Sequence, residues 1–135
     1  MLNLSNTTEQ VLEPGQSITF DLTLLQTCSN AERHQIGSAN TVLLNGCIFE
    51  IDFSANIAGE AAGEIELAIF MDGEVIPATN MIQTAAAANN LYNVSRPGVR
   101  VRKFGCSNTI SVRNNGDTNI ILPAKASNLS IKRVA

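Results

Sequence analysis

His34 is the only histidine in the chain and sits in a polar stretch, Ala31-Glu32-Arg33-His34-Gln35. A cysteine–histidine nucleophile needs a sulfur within hydrogen-bond reach of the imidazole. Nothing in the spacing of Cys28, Cys47 or Cys106 places one there. Glu64 and Glu66 share one face of an alternating run, about 7 Å apart at the ~3.3 Å rise of a strand. That approaches the carboxylate separation of some glycosidases. Alternating acids on the outer face of a strand, however, are ordinarily solvated and discourage edge pairing. One histidine and three dispersed cysteines match no zinc spacing, and no DxDxDG-type calcium loop is present. The reading is therefore no catalytic residues, no metal and no cofactor. Cys47, in phase with Phe49 and Ile51, reads as a small core hydrophobe.

Two further groups could carry binding. Arg96, Arg100, Arg102 and Lys103 form a basic cluster, with Arg100 and Arg102 on one strand face opposite Val99 and Val101. Cross-strand pairing with Glu50, Asp52, Glu64 or Glu66 accounts for them, within a subunit or across a subunit boundary. A polyanion or glycan patch is the alternative. The interleaved aromatics of a single-strand nucleic-acid binder are missing. Ile48, Phe70 and Phe104 fall on the polar faces of their strands, which together would form a patch needing cover. These three, with Arg100 and Arg102, are the expected subunit interface; a second layer of the same sandwich is the alternative.

The elements that must position these residues have period two. In 46–57, Cys47, Phe49, Ile51, Phe53, Ala55 and Ile57 alternate with Ile48, Glu50, Asp52, Ser54 and Asn56, the pattern of a half-buried antiparallel strand. Ile65, Leu67, Ile69 and Met71 continue it, and Asp72-Gly73 is a favoured hairpin turn leading into a return strand over 74–82. Further strands are expected over 17–25, 41–44, 99–104, 109–113, 118–122 and 129–134, with Asn114-Asn115-Gly116-Asp117 as a turn. No long helical crossover is visible, as a parallel sheet would need; Thr84–Asn90 is too short for a stable helix. The expected fold is all-β, an antiparallel two-sheet jelly-roll sandwich of about 8–10 strands. Met1–Glu9 reads as a polar tether, with one domain over 10–135.

Charge is low and segregated. Charged residues make up 16% of the 135, against a usual ~25%, leaving uncharged surface for a partner. Eleven of twelve acids lie in 1–74 and eight of nine bases in 96–133, so late strands should sit beside early ones. A net charge of −3 argues against nucleic-acid binding. No apolar run reaches the ~18–20 residues of a membrane span. Met1–Gln10 has neither a basic nor an apolar signal region, so secretion is not expected. Three cysteines without CxxC spacing suit a thiol-keeping compartment. The Asn-X-Ser/Thr sites at Asn3, Asn6, Asn93 and Asn128 read as chance in such a setting.

The ordered features GCIFEIDFSANI, a small-residue loop, EIELAIFMDGEVIP and the closing TISVRNNGDTNIILPAKASNLSIKRVA resemble jelly-roll domains similar to the complement globular head and tumour necrosis factor. More narrowly, they look like the bacterial and bacteriophage versions that end fibres or decorate particles. The resemblance covers about residues 10–135. It implies a homotrimer, although no Gly-X-Y stalk precedes the domain and aromatics are few. The expected function is a non-enzymatic virion module, a head fibre, capsid decoration or fibre tip assembled in the host cytoplasm. Its partners would be itself, capsid through the N-terminus, and host-surface receptors or glycans at loops 29–40, 59–63 and 85–93. The alternatives are a spore-surface or secreted tumour-necrosis-factor-like ligand domain and, further off, a glycan hydrolase.

Overall fold

The computed structural model describes residues 1–27, 32–35, 37–44, 48–102 and 107–135. Its strands are β1 (Leu2–Ser5), β2 (Gln10–Leu12), β3 (Leu22–Gln26), β4 (Glu32–His34), β5 (Thr41–Leu44), β6 (Ile48–Gly59) and β7 (Gly63–Met71). They continue as β8 (Glu74–Val75), β9 (Met81–Ala85), β10 (Leu91–Arg102), β11 (Ser107–Asn114), β12 (Ile120–Leu122) and β13 (Ser127–Arg133). Every strand pairing among the described residues is antiparallel.

Two sheets form. The first runs β2-β12-β6-β13-β1-β3, with β10 on the other side of β6; the second runs β4-β5-β11-β7-β8, with β9 also on β7. The alternation seen in the sequence decides which side faces in. Phe49, Ile51, Phe53, Ala55 and Ile57 of β6 are all buried, as are Ile65, Leu67 and Ile69 of β7. Phe20, Leu2, Leu4, Leu12, Ile18 and Leu43 complete the layer between the sheets. The fold is the expected two-sheet jelly roll. Among the described residues it has thirteen strands rather than about 8–10, three of which, β2, β4 and β8, are edge pieces of two or three residues.

The first correction concerns the N-terminus. Met1–Glu9 is not a tether: Leu2–Ser5 is a central strand, paired with β13 on one side and β3 on the other. Leu2 and Leu4 alternate with Asn3 and Ser5, and both leucines are fully buried. Asn6 is buried too and acts as a polar rivet. Its Nδ2 donates to the carbonyls of Pro123 (2.9 Å) and Thr8 (3.0 Å), and its Oδ1 accepts from Ser127. A glycan on that Nδ2 would remove one of its two N–H donors and has no room at a fully buried position, so the asparagine of this sequon is structural.

Other boundaries also move. Residues 17–25 do not form one strand; Ser17 and Phe20 make single bridges to Arg113 and Ser38 before β3 begins. The return over 74–82 splits at Pro77-Ala78 into β8 and β9. β10 starts at Leu91, well before the expected 99. Asp72-Gly73 is the expected hairpin turn, with φ of 54° and 83° at its two residues. Such values suit a type I′ turn, where aspartate and glycine cost least.

Candidate functional site

With the odd positions of β6 facing the core, Ile48, Glu50, Asp52, Ser54 and Asn56 lie on the outer face of the first sheet. Register then fills that face row by row. Lys132, Glu50 and Arg100 lie side by side on β13, β6 and β10. Lys132 Nζ is 3.1 Å and Arg100 Nε 3.9 Å from the Glu50 carboxylate. The cross-strand pairing expected of Arg100 is therefore present. At 67% side-chain exposure of Arg100 it contributes at most a few tenths of a kcal/mol, roughly the surface-pair range. Arg102 stands opposite Ile48 at the end of the same face.

Beyond the charged row the face becomes uncharged. Asn128, Ser54 and Ser95 occupy one row, Asn56 and Asn93 the next. Asn93 Nδ2 donates to Asn56 Oδ1 at 3.0 Å, and Asn128 Nδ2 to Asn3 Oδ1 at 2.8 Å. A shallow hollow of about 420 Å³ lies here, lined among others by Ser54, Asn56, Asn93, Asn128 and Leu24, with Lys125 as its one charged lining residue. On β3, Leu24 and Leu25 are 55% and 45% exposed. This amide- and hydroxyl-bearing face was not singled out from sequence. Its signal was available in the change from Glu50 and Asp52 to Ser54 and Asn56 along one strand face.

The other expected interface residues separate. Phe70 lies on the outer face of the second sheet, opposite Ser111. The Arg113 guanidinium sits 4.9 Å from its ring centroid, in cation–π range, so Phe70 is half-buried within its own subunit. The single patch expected from Ile48 and Phe70 does not form, because β6 and β7 belong to different sheets and their outward faces point apart. Phe104 and Lys103 lie outside the described residues, as do all three cysteines.

The groups weighed for catalysis have structural partners. His34 Nε2 lies 2.9 Å from the Phe20 carbonyl and Nδ1 3.1 Å from Thr41 Oγ1. The carbonyl can only accept, so Nε2 carries a proton and donates to it. The ring also packs edge-on against Phe20. The Glu66 carboxylate accepts from Asn80 and Asn115 and holds the turn after β11, while Glu64 is exposed. Neither lines any of the clefts described here. Among the described residues no three histidine, cysteine, aspartate or glutamate side chains converge on a metal position. Of the expected binding loops, 59–63 and 85–93 meet, since Asn89 N–H donates to the Gly59 carbonyl; the second is narrower than expected, because Ala85 ends β9 and Leu91 begins β10. Residues 29–31 and 36 of the 29–40 loop lie outside the described residues, and His34 at the end of β4 pairs with Thr41 along the second sheet's edge.

No protein-family model matches the chain, and no curated protein sequence matches it. Solved structures do. An Eiger tumour necrosis factor from S. frugiperda superimposes with a TM-score of 0.76 at 7% identity, covering 99% of this chain and 91% of that one. Murine APRIL at pH 5.0 superimposes at 0.70 with 12% identity, covering 98% and 97%. Identities this low carry the fold alone, and over its whole length that fold is the jelly roll of tumour-necrosis-factor-like domains.

Proposed function

We propose that the chain is a non-enzymatic homotrimeric module, with the outer face of the first sheet turned toward the three-fold axis. The observation that carries this reading is the uncharged band of Ser54, Asn56, Asn93, Ser95 and Asn128 beside exposed Leu24 and Leu25. Loss of charged residues marks the centre of subunit interfaces. The ion row of Lys132, Glu50 and Arg100, with Ile48 and Arg102, would form the rim. Phe70 is left out, already covered by Arg113.

The setting we propose is a bacteriophage particle, with the module as head fibre, capsid decoration or fibre tip and its loops free for host-surface receptors or glycans. The ordered strands and turns that resemble such proteins support it, as does the low charge. Attachment to the capsid then falls to a folded surface away from the first sheet's outer face, since residues 2–5 are a strand of that sheet and not a free arm. The test has two parts. Light scattering should give three chain masses, and the protein should be found in purified particles. A monomer rejects the trimer, and absence from every particle rejects the setting. The likeness to Eiger and APRIL favours a second reading, a soluble tumour-necrosis-factor-like ligand, which the particle test separates from the first.

A further inference from the structure

Arg96 stands out by position and by lack of partners. It pairs in register with Phe53, a core residue, and so falls on the core-facing row of β10, between Val94 and Val99. β10 pairs with β6 alone and β9 with β7 alone among the described residues, so the two sheets present open edges along one side of the sandwich. There Arg96 and Gln83 replace the apolar residues that fill the rest of the layer. Arg96 is half-buried, its Nε is cut off from solvent, and its side chain makes no hydrogen bond or ion pair among the described residues. The acids on neighbouring strands are engaged or turned away: Glu66 is held by Asn80 and Asn115, and Glu64 faces out beside Thr84. Asp52, on the opposite face of the first sheet, takes the Gly98 N–H.

A cleft of about 410 Å³ opens at this seam, with Met81 and Val94 among its lining and Asn80, Gln83, Asn93, Ser95 and Arg96 as its polar groups. Arg96 is its only charged lining residue. The Nε is as closed to a ligand as to water, but Arg96 is only half-buried, and the accessible part of its guanidinium can give a carboxylate charge-assisted hydrogen bonds. Two amides, Asn80 and Gln83, and the unpaired backbone edge of β10 along Asn93–Arg96 surround one cation, more polar groups than a single acidic side chain could use. They suit the ring hydroxyls of a sugar, and the volume is in the range of small-ligand sites.

We propose that this cleft binds the carboxylate of an acidic sugar residue, with Arg96 pairing the carboxylate and Asn80, Gln83 and the open backbone edge of β10 bonding the hydroxyls. The inference deepens the adhesive reading given above by naming a ligand class, but it needs neither the particle nor the trimer. The test is titration of the full chain with glucuronic acid, glucose and N-acetyl-aspartate amide, followed by backbone amide NMR. Glucuronate should give saturable shifts clustered at Asn80–Gln83 and Asn93–Arg96, with Kd on the order of 1 mM and weaker binding in high salt. Glucose should give none. Arg96→Gln should weaken binding by at least about tenfold, the effect of losing one charged pair. Asn80→Ala, at an exposed site, should weaken it less and guards against a folding defect in the first variant. Glucuronate shifts that do not saturate, or that survive Arg96→Gln, overturn the proposal. So does tighter binding of the aspartate amide, which would mark a peptide site. A trimer mass that persists while glucuronate fails rejects this inference and leaves the assembly reading standing.

Discussion

The backbone N–H of Gly98 donates to the Asp52 carboxylate at 2.6 Å, across the β6–β10 pair. Pro97 and Gly98 together oppose the single residue Asp52, because Arg96 pairs with Phe53 and Val99 with Ile51. This is a β-bulge. It lets proline, which has no N–H to give the ladder, sit in a twelve-residue strand without throwing its two halves out of phase. Gly98 takes φ of +68°, and a Cβ there would meet nothing nearer than Glu50 Oε1 at 4.0 Å. Gly98→Ala should therefore cost only its backbone strain, about 1–2 kcal/mol, read as a lower urea midpoint. Asp52→Asn, whose side-chain oxygen still accepts, should cost less than Asp52→Ala, at about 1 kcal/mol.

The same bulge explains why half of β10 was missed in the sequence. Asn93, Ser95, Pro97 and Gly98 are turn-forming residues, and they conceal an inward row of Val94, Arg96, Val99 and Val101 that no unbroken period of two connects. Where the period is unbroken, as in β6 and β7, both the element and its inward face could be read directly. β1 was illegible for another reason. Four residues with two leucines carry little pattern, and their burial is decided by β13, 122 or more residues away in the chain. The interface residues suffered from the same limit: phase along a strand tells inside from outside, but not which of two outer faces a residue joins. Ile48 and Phe70 were both in the outward phase, and they ended on opposite sheets.

Asn6 offers a sharper test of the N-terminal strand. All its amide groups are used at a buried position, between Thr8, Pro123 and Ser127. Asn6→Ala leaves buried carbonyls without donors and should cost about 2–3 kcal/mol. Asn6→Asp, which removes both donors and adds a charge, should cost more. Either is measurable as a fall in the urea midpoint. If residues 1–9 were a free arm, neither substitution would alter stability.

Asp21 gives the fold a pH dependence on the acid side. The Thr7 hydroxyl and then the Thr7 backbone N–H, at 2.7 Å, donate to its carboxylate and hold its pKa below the ordinary 3.8, with slight desolvation opposing them. A carboxyl with a depressed native pKa stabilises the fold above its unfolded pKa, and that contribution is lost as pH falls through the native value. Thermal scans from pH 7 downward should show the loss beginning near pH 4 and deepening below it. Asp21→Asn should flatten this part of the curve by lowering the neutral-pH midpoint toward the acid-side value, since the uncharged amide has one acceptor oxygen for the two Thr7 donors and no charge for them to favour. An unchanged acid limb would remove Asp21 from the account.

The choice of assembly face can be decided by two substitutions that behave oppositely. Phe70 is half-exposed and apolar, and on sequence grounds was an interface residue. In the fold it is paired with Arg113 inside its own subunit. Phe70→Asp should therefore lower stability, by about 1 kcal/mol for the cation–π contact and some lost apolar burial, and leave the mass in solution unchanged. Ser54 lies at the middle of the uncharged face, in register with Asn128 and Ser95. Ser54→Arg would bring three like charges together at a three-fold axis with no acid in the row to meet them, so the trimer should dissociate while each subunit stays folded. Light scattering and circular dichroism on the two variants give the answer. If Phe70→Asp dissociates the assembly and Ser54→Arg does not, the axis lies against the second sheet.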